Sequence, residues 1–467
     1  MNKSVKKWSG IAIRAVCLGV FGVQLVYALL WAFYNGNNIQ DFYDSALYIK
    51  SAVTMAGDGW RLIGYSAILH VFMGMQQGLG DYYVVPLYLT QAGVSLLCFT
   101  WGCKTLAELW LKRTVSYLTM LLPALYILTL PVVWQMQFAV LPDAFCIALA
   151  VLLFSKLAEC VWDVKSLRWD AALVLLGCLL MTGLLHRHYF YGELLLCCVC
   201  VLFVLVRAGK KKYRTKESFL LAGIIMVCVC VTAVISCTVN AKGLTNSQYA
   251  KYSLVADMWD AFVYPNIQAD YSQYPQNVKD ALPQTYVDEY GSYYEYNMSY
   301  IAPAVECADP DNAEAIYMQM VQTGLSLHGR EKTIGLAKEG IAYVLFPAGM
   351  IKYMYFNGNS LYGHNIMKMY ETAPKLTIDY MHIGMNGLGL ITLFGVFIFV
   401  SNIISDRKQN VRKVYVLLYC ALGICAMVCP AMLFNMIGFD YRFGIFSAFV
   451  WAVFALLNVY ESREKEK

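Results

Sequence analysis

Four short stretches of this 467-residue chain set charged residues beside long apolar runs. QDFYD carries Asp41 and Asp44 just after the first apolar run, and LPDAF carries Asp143. HRHYFYGE runs from His186 through Arg187 to Glu193, and FDYRFG holds Asp440 and Arg442. Charges near lipid are costly and are therefore functional candidates. A carboxylate in a partly desolvated pocket can take the proton of a hydroxyl as that oxygen becomes a nucleophile. An arginine, planar and always ionised, meets the charge that develops on a departing phosphate or pyrophosphate. Each stretch also has a plain reading: aspartate caps helices, and Arg187 with Glu193, or Asp440 with Arg442, makes an interfacial ion pair. Taken together, the acids and arginines are the inventory for moving a group from a lipid phosphate to a hydroxyl, with no acid needed for the leaving group.

The elements that must position them follow from composition. The chain is 59% hydrophobic and 14% charged, against about 45–50% apolar and about 25% charged in soluble domains. The expectation is an all-α polytopic membrane protein. Apolar stretches able to cross a bilayer occur near 10–34, 84–110, 116–134, 138–155, 171–186, 189–207, 218–240, 378–402, 413–437 and 442–460. The first of them follows MNKSVKKWSG without a small-residue cleavage site and is expected to stay as a span. A net charge of +5 offers no nucleic-acid surface. The 16 cysteines lie almost entirely in apolar runs, with Cys307 well inside a polar region, and their spacing does not suggest zinc. No metal is expected.

Lysine and arginine set the orientation. Lys3, Lys6, Lys7, Lys104, Lys112, Arg113, Lys156, Lys165, Arg168, the run Arg207 to Lys216, and Arg407 to Lys413 fall on one side if ten spans alternate. Both termini are then cytoplasmic, in a cell membrane. Residues 41–57 and 62–78 become two short external juxtamembrane helices separated by GDGW. The polar stretch 241–375 becomes an external domain of mixed or mainly helical structure, rich in tyrosine and with more acids than bases. Within it Ile341 to Phe356 is apolar, but Pro347 and Lys352 favour an interfacial helix over a span. The organisation expected is a membrane core at 1–240, the external domain at 241–375, and C-terminal membrane helices at 376–467.

Several motifs carry a resemblance. D-S-x-x-Y at Asp44 to Tyr48, Arg61 with G-Y-S at Gly64 to Ser66, VPLYLTQAGVSLL at Val85 to Leu97, LPDAF at Leu141 to Phe145, HRHY at His186 to Tyr189 and YRFGIF at Tyr441 to Phe446 resemble landmarks of GT-C membrane glycosyltransferases. These are relatives of protein mannosyltransferases and the aminoarabinose transferase. The resemblance implies sugar transfer from a polyprenyl-phosphate-linked donor to a hydroxyl on a glycan, lipid or protein acceptor. It implies an external active site, inversion by single displacement, and no cofactor beyond the lipid-linked sugar as substrate. Asp44 would be the base, with Asp41 the alternative. Arg187, Arg442 and His186 would hold the donor phosphate, and Tyr48, Arg61 and Asp143 would contact substrate. Many members carry adjacent acids, whereas Asp41 and Asp44 are three apart. Two other classes fit the totals: a multi-pass transporter, which needs polar groups near the bilayer midplane and broken helices, and a lipid-linked polysaccharide polymerase or ligase.

Overall fold

The structure is a computed structural model describing residues 3–36, 45–55, 62–162, 169–208, 215–243, 255, 258–259, 262–263, 266–291, 297–357, 374–405, 407–434 and 444–464. Among these there is no β-strand. In hydrocarbon a backbone can satisfy its own polar groups only as helix or closed barrel, and this sequence takes the helical route. The helices are α1 (Lys3–Asn35), α2 (Ser45–Thr54), α3 (Ile63–Met73), α4 (Gln76–Leu79), α5 (Val84–Leu111), α6 (Tyr117–Leu128), α7 (Pro131–Gln137), α8 (Asp143–Trp162), α9 (Trp169–Leu185), α10 (Arg187–Ala208) and α11 (Thr215–Gly243). Three short helices, α12 (Ile267–Asp270), α13 (Gln276–Ala281) and α14 (Gln284–Tyr290), lead into α15 (Asn297–Ala308) and α16 (Ala313–Leu345). The chain closes with α17 (Pro347–Asn357), α18 (Pro374–Ser405), α19 (Arg407–Phe434) and α20 (Ile445–Glu464).

Among the described residues seven helices are long and apolar enough to cross a membrane: α1, α5, α8, α10, α11, α18 and α19. The bent pairs α6/α7 and α16/α17 raise the number to nine if each is one span, and α9 and α20 are apolar but shorter. The molecule is a helical, multi-pass membrane protein. Neighbours along the chain pack together, α5 on α8 and α9 on α11, and the last helices close the bundle, α19 on α10 and α18 on both α1 and α20.

The two ends of this bundle differ in chemistry. At one end the basic residues find partners: Lys104 pairs with Glu108 at 2.8 Å, Lys156 with Glu159 at 3.0 Å, and Lys413 lies over the Trp110 ring at 5.0 Å. Arg113 donates to the Tyr460 hydroxyl at 3.2 Å, joining the end of α5 to the end of α20. The opposite end gathers the starts of α5, α8 and α10 with α2 and α3.

Both bends expose carbonyls that must be satisfied within the bundle. Between α6 and α7 the axis turns by 89°, and Pro131 occupies the first turn of α7, where its missing N–H costs nothing. Gln24 of α1 donates to the Tyr126 carbonyl at 2.8 Å and to Thr129 Oγ1 at 3.0 Å, and the Tyr380 hydroxyl donates to the Thr129 carbonyl. The second bend, 117°, falls at Phe346, between Leu345 and Pro347. The stretch expected as one interfacial helix at 341–356 is therefore divided, because a proline cannot continue the helix that precedes it.

Helix α16 also joins two cores. Its first turns enter a separate cluster around Trp259, Ile301, Tyr317 and Val321, where His328 and Asp270 lie 2.6 Å apart. Its last turns, with Tyr343, belong to the main bundle core, as do Ile351 and Tyr355 of α17.

Helix α18 accepts close neighbours because it carries glycine at the contacts, the pattern by which membrane helices approach one another. A Cβ on Gly384 would overlap the Pro131 ring, whereas one on Gly19 of α1 would meet nothing within 4 Å. Gly384→Leu should therefore lower the thermal unfolding midpoint of the detergent-purified protein, by the roughly 1–3 kcal/mol typical of overpacking. Gly19→Leu should leave it unchanged.

Candidate functional site

The site grows from Asp143, the first residue of α8 and 0% exposed. An acid suits a helix start electrostatically, but a carboxylate this deep needs hydrogen bonds. Tyr189 supplies one, its hydroxyl donating to Asp143 Oδ1 at 3.2 Å. Tyr189 sits in the first turn of α10, immediately after the chain reverses from α9. That reversal places His186, Arg187, His188 and Tyr189 in succession at one end of the bundle. The His186 ring lies 5.3 Å from Tyr189, edge to face, and 5.4 Å from His188. His186, Arg187 and His188 are half-buried.

The backbone leading into Asp143 is held by two glutamines and a serine. Gln91 of α5 donates to the carbonyls of Gln137 at 2.9 Å and Ala139 at 3.2 Å, and Ser95 donates to Gln137 Oε1 at 3.0 Å. Gln91 in turn accepts from the Tyr65 hydroxyl at 3.1 Å. Complete burial, followed by the neighbouring Tyr88, Tyr48 and Asp143, pushes the Tyr65 hydroxyl well above its ordinary value, so it remains a neutral donor. Tyr48 packs its ring edge-on against Tyr65 at 5.1 Å. Gly64 lets α3 lie against the end of α9, since a Cβ there would collide with the Leu184 carbonyl oxygen.

The sequence-derived candidates thus divide. Tyr48, Asp143, His186 and Arg187 lie at the same end of the bundle, linked through Tyr65 and Tyr189. Asp41, Asp44, Arg61, Asp440 and Arg442 lie outside the described residues. The described ends beside them are informative. Gly36, at the end of α1, sits next to the Phe138 ring, and Ser45 opens α2, whose Tyr48 touches Tyr65. Both ends of the stretch holding Asp41 and Asp44 therefore adjoin the Asp143 neighbourhood. Gly444, two residues after Arg442, packs against Tyr343 of α16 and Ile351 of α17.

Glu193 takes a different role from the ion pair suggested by its spacing to Arg187. It is 0% exposed on α10, and its Oε1 accepts from the Thr182 hydroxyl at 3.0 Å. Sequence reasoning missed Gln137 and gave Tyr65 and Gln91, which stood in the G-Y-S and VPLYLTQAGVSLL motifs, no role of their own. Each is an ordinary polar or aromatic residue in an apolar run, and only the pairing of distant helices reveals that they hold the backbone leading into one aspartate. Tyr189 stood in the HRHY motif without a role; its hydroxyl is the donor to Asp143.

A buried carboxylate hydrogen-bonded by a phenol, with a guanidinium and two imidazoles in the adjacent turn, can orient polyhydroxylated substrates and draw an anion to the same end of the bundle. No protein-family model matches the chain, and no curated protein or solved structure is similar to it.

Tyr189→Phe removes a hydrogen bond from a buried acid, and Tyr65→Phe removes the donor to Gln91. Each should cost roughly 1–3 kcal/mol, seen as a lower unfolding midpoint of the purified protein. Unchanged midpoints in both variants would show that these bonds do not hold the Asp143 end together.

Proposed function

We propose that the chain is an integral membrane glycosyltransferase that moves a sugar from a polyprenyl-phosphate-linked donor to a hydroxyl acceptor on the outer side of the cell membrane. The observation that carries this reading is Asp143, buried at the end of the bundle opposite Lys104, Arg113, Lys156 and Lys413 and bonded to the residue two positions after Arg187. The sequence motifs of the opening and closing segments support it. So does the placement of two short helices, α2 and α3, between the first long helix and α5, packed against each other and over the starts of α5 and α9's end.

In this reading ten crossings, counting α6/α7 as one and including the shorter α9 and α20, leave both termini cytoplasmic and the Asp143 end outside. Asp44, or Asp41, takes the proton from the acceptor hydroxyl as its oxygen attacks the anomeric carbon. The bond from that carbon to the phosphate oxygen breaks in the same displacement, inverting the centre, and the phosphate leaves as an anion. Arg187, His186 and Arg442 stabilise that anion, while Asp143, Tyr48 and Arg61 contact the sugar or acceptor. No cofactor is required by these steps, since the lipid-linked donor is itself the activated species. The acceptor is a glycan, a lipid or a protein.

One observation favours the transporter reading: two bent helix pairs, α6/α7 and α16/α17, approach one another through α18 and through Gln135 and Tyr355. Broken helices of this kind line substrate paths in carriers. The two readings separate on turnover. Full-length protein in proteoliposomes, given a polyprenyl-phosphate sugar and acceptor, should form product, and Asp44→Asn should reduce the rate by about 100-fold or more. Arg187→Lys should also be costly, because a point charge does not replace a planar fork. Wild-type activity in Asp44→Asn would remove the mechanism, and counterflow of solute without product would favour the carrier.

A further inference from the structure

The bend at Phe346 sets Lys352, which the sequence assigned to an interfacial helix, beside α18. Helix α17 leaves the bend and runs beside α18 in antiparallel register, which three contacts define. A Cβ on Gly389 would touch Ala348 Cβ at 3.9 Å, Lys352 Nζ donates to Asn386 Oδ1 at 3.1 Å, and the Phe356 ring stacks on His382 at 5.0 Å. Successive positions on α17 thus meet positions nearer and nearer the start of α18.

This register gives a depth. The membrane-crossing portion of α18 is Pro374–Ser401, 28 residues, or about 42 Å at 1.5 Å per residue. A hydrocarbon layer of about 30 Å can slide by only about 12 Å along it. Wherever it sits, Asn386 lies about 6–18 Å below the surface at the Pro374 end. Its partner Lys352 lies at the same level. An ammonium there is expensive unless it reaches the interface, water or an anion.

The described residues give Lys352 a neutral partner, Asn386, and no carboxylate within ion-pair distance. On α18, His382 lies one turn above Asn386 and Asp379 two turns above, so the acid nearest along this face is about 10 Å away. Asn386 is exposed, and so are Leu345, Phe346 and Tyr353 around the bend. The three polar groups therefore follow one another along the seam between α17 and α18, which is open sideways at Asn386, with exposed apolar side chains around the bend.

We propose that Lys352, Asn386 and His382 form a laterally open site for a phosphate group, reached from the side along the seam between α17 and α18. The ammonium supplies the charge, and the amide and imidazole supply further hydrogen bonds to the phosphate oxygens. The site is separate from Arg187 and His186. The need for a phosphate rests on the depth and pairing of Lys352 alone; the choice of a polyprenyl chain as its carrier rests on the proposed function.

Native mass spectrometry of the full-length protein, with polyprenyl phosphate, the uncharged polyprenol and inorganic phosphate as probes, tests this without turnover. The wild type should retain polyprenyl phosphate at least about tenfold better than polyprenol, and Lys352→Met should lose that preference while Lys352→Arg keeps it. Displacement of the lipid by inorganic phosphate at equal concentration assigns the site to a soluble phosphate instead, with the same dependence on Lys352. Equal retention of both phosphate probes by wild type and Lys352→Met would overturn the proposal. Should Lys352→Met not fold, Asn386→Ala must show a weakened preference, and undiminished retention there overturns it equally. Because binding is read without transfer, its failure leaves the catalytic reading standing, and loss of transfer in an Asp44 variant does not bear on this site.

Discussion

The constraint on which the rest depends is the lack of water to satisfy the backbone within a bilayer. An unbroken helix meets it internally. A bent helix does not, and at the bend between α6 and α7 side chains replace the missing bonds. At the first bend Gln24, Thr129 and Tyr380 converge on freed carbonyls, drawing α1, α6 and α18 into one junction. At the approach to α8, Gln91 and Ser95 do the same for the irregular stretch that ends at Asp143. The polar residues that permit irregular backbone are thus the same ones that orient the candidate site. Chemistry and architecture share residues here.

This sharing explains why the Asp143 end is built so heavily of aromatic and amide groups. A buried carboxylate must be surrounded by donors that do not themselves ionise. Tyr189 meets that need directly, and Tyr65, held neutral by burial, donates to the Gln91 that fixes the backbone leading into Asp143. Charged partners lie just outward, in the half-buried His186, Arg187 and His188. The polarity of the molecule from end to end is maintained by the opposite arrangement: at the basic end, lysines and arginines lie against carboxylates and aromatic rings. The two ends do different physical work, one anchoring and one suited to binding.

Much of the fold was legible in the chain because apolar length and helical membrane structure are nearly the same statement. The long helices fall where the apolar runs lie, and α2 and α3 fall within the two short amphipathic stretches after the first span. Asp143, His186 and Arg187 were legible as costly residues, and Tyr48 entered through the D-S-x-x-Y resemblance. What was not legible is pairing between distant positions. Tyr65, Gln91 and Gln137 are separated by 26 and 46 residues, and no periodicity links them. Lys352 and Pro347 were visible as obstacles to a simple span, but their consequence, a bent pair whose second helix lies along α18, depends on contacts with Gly389, Asn386 and His382 of a helix some thirty residues later. Glu193 invited pairing with Arg187 by proximity in sequence, yet α10 turns it inward to Thr182.

The central claim is that the acid of the opening segment and the arginine of the HRHY turn share a pocket on the outer side of the membrane. Cysteines introduced by Asp44→Cys and Arg187→Cys, treated with a short bismaleimide in intact cells, report both proximity and side at once. The account predicts a cross-link that an impermeant maleimide added outside abolishes. Absence of the cross-link in folded protein, or protection only after the cells are made permeable, would contradict it.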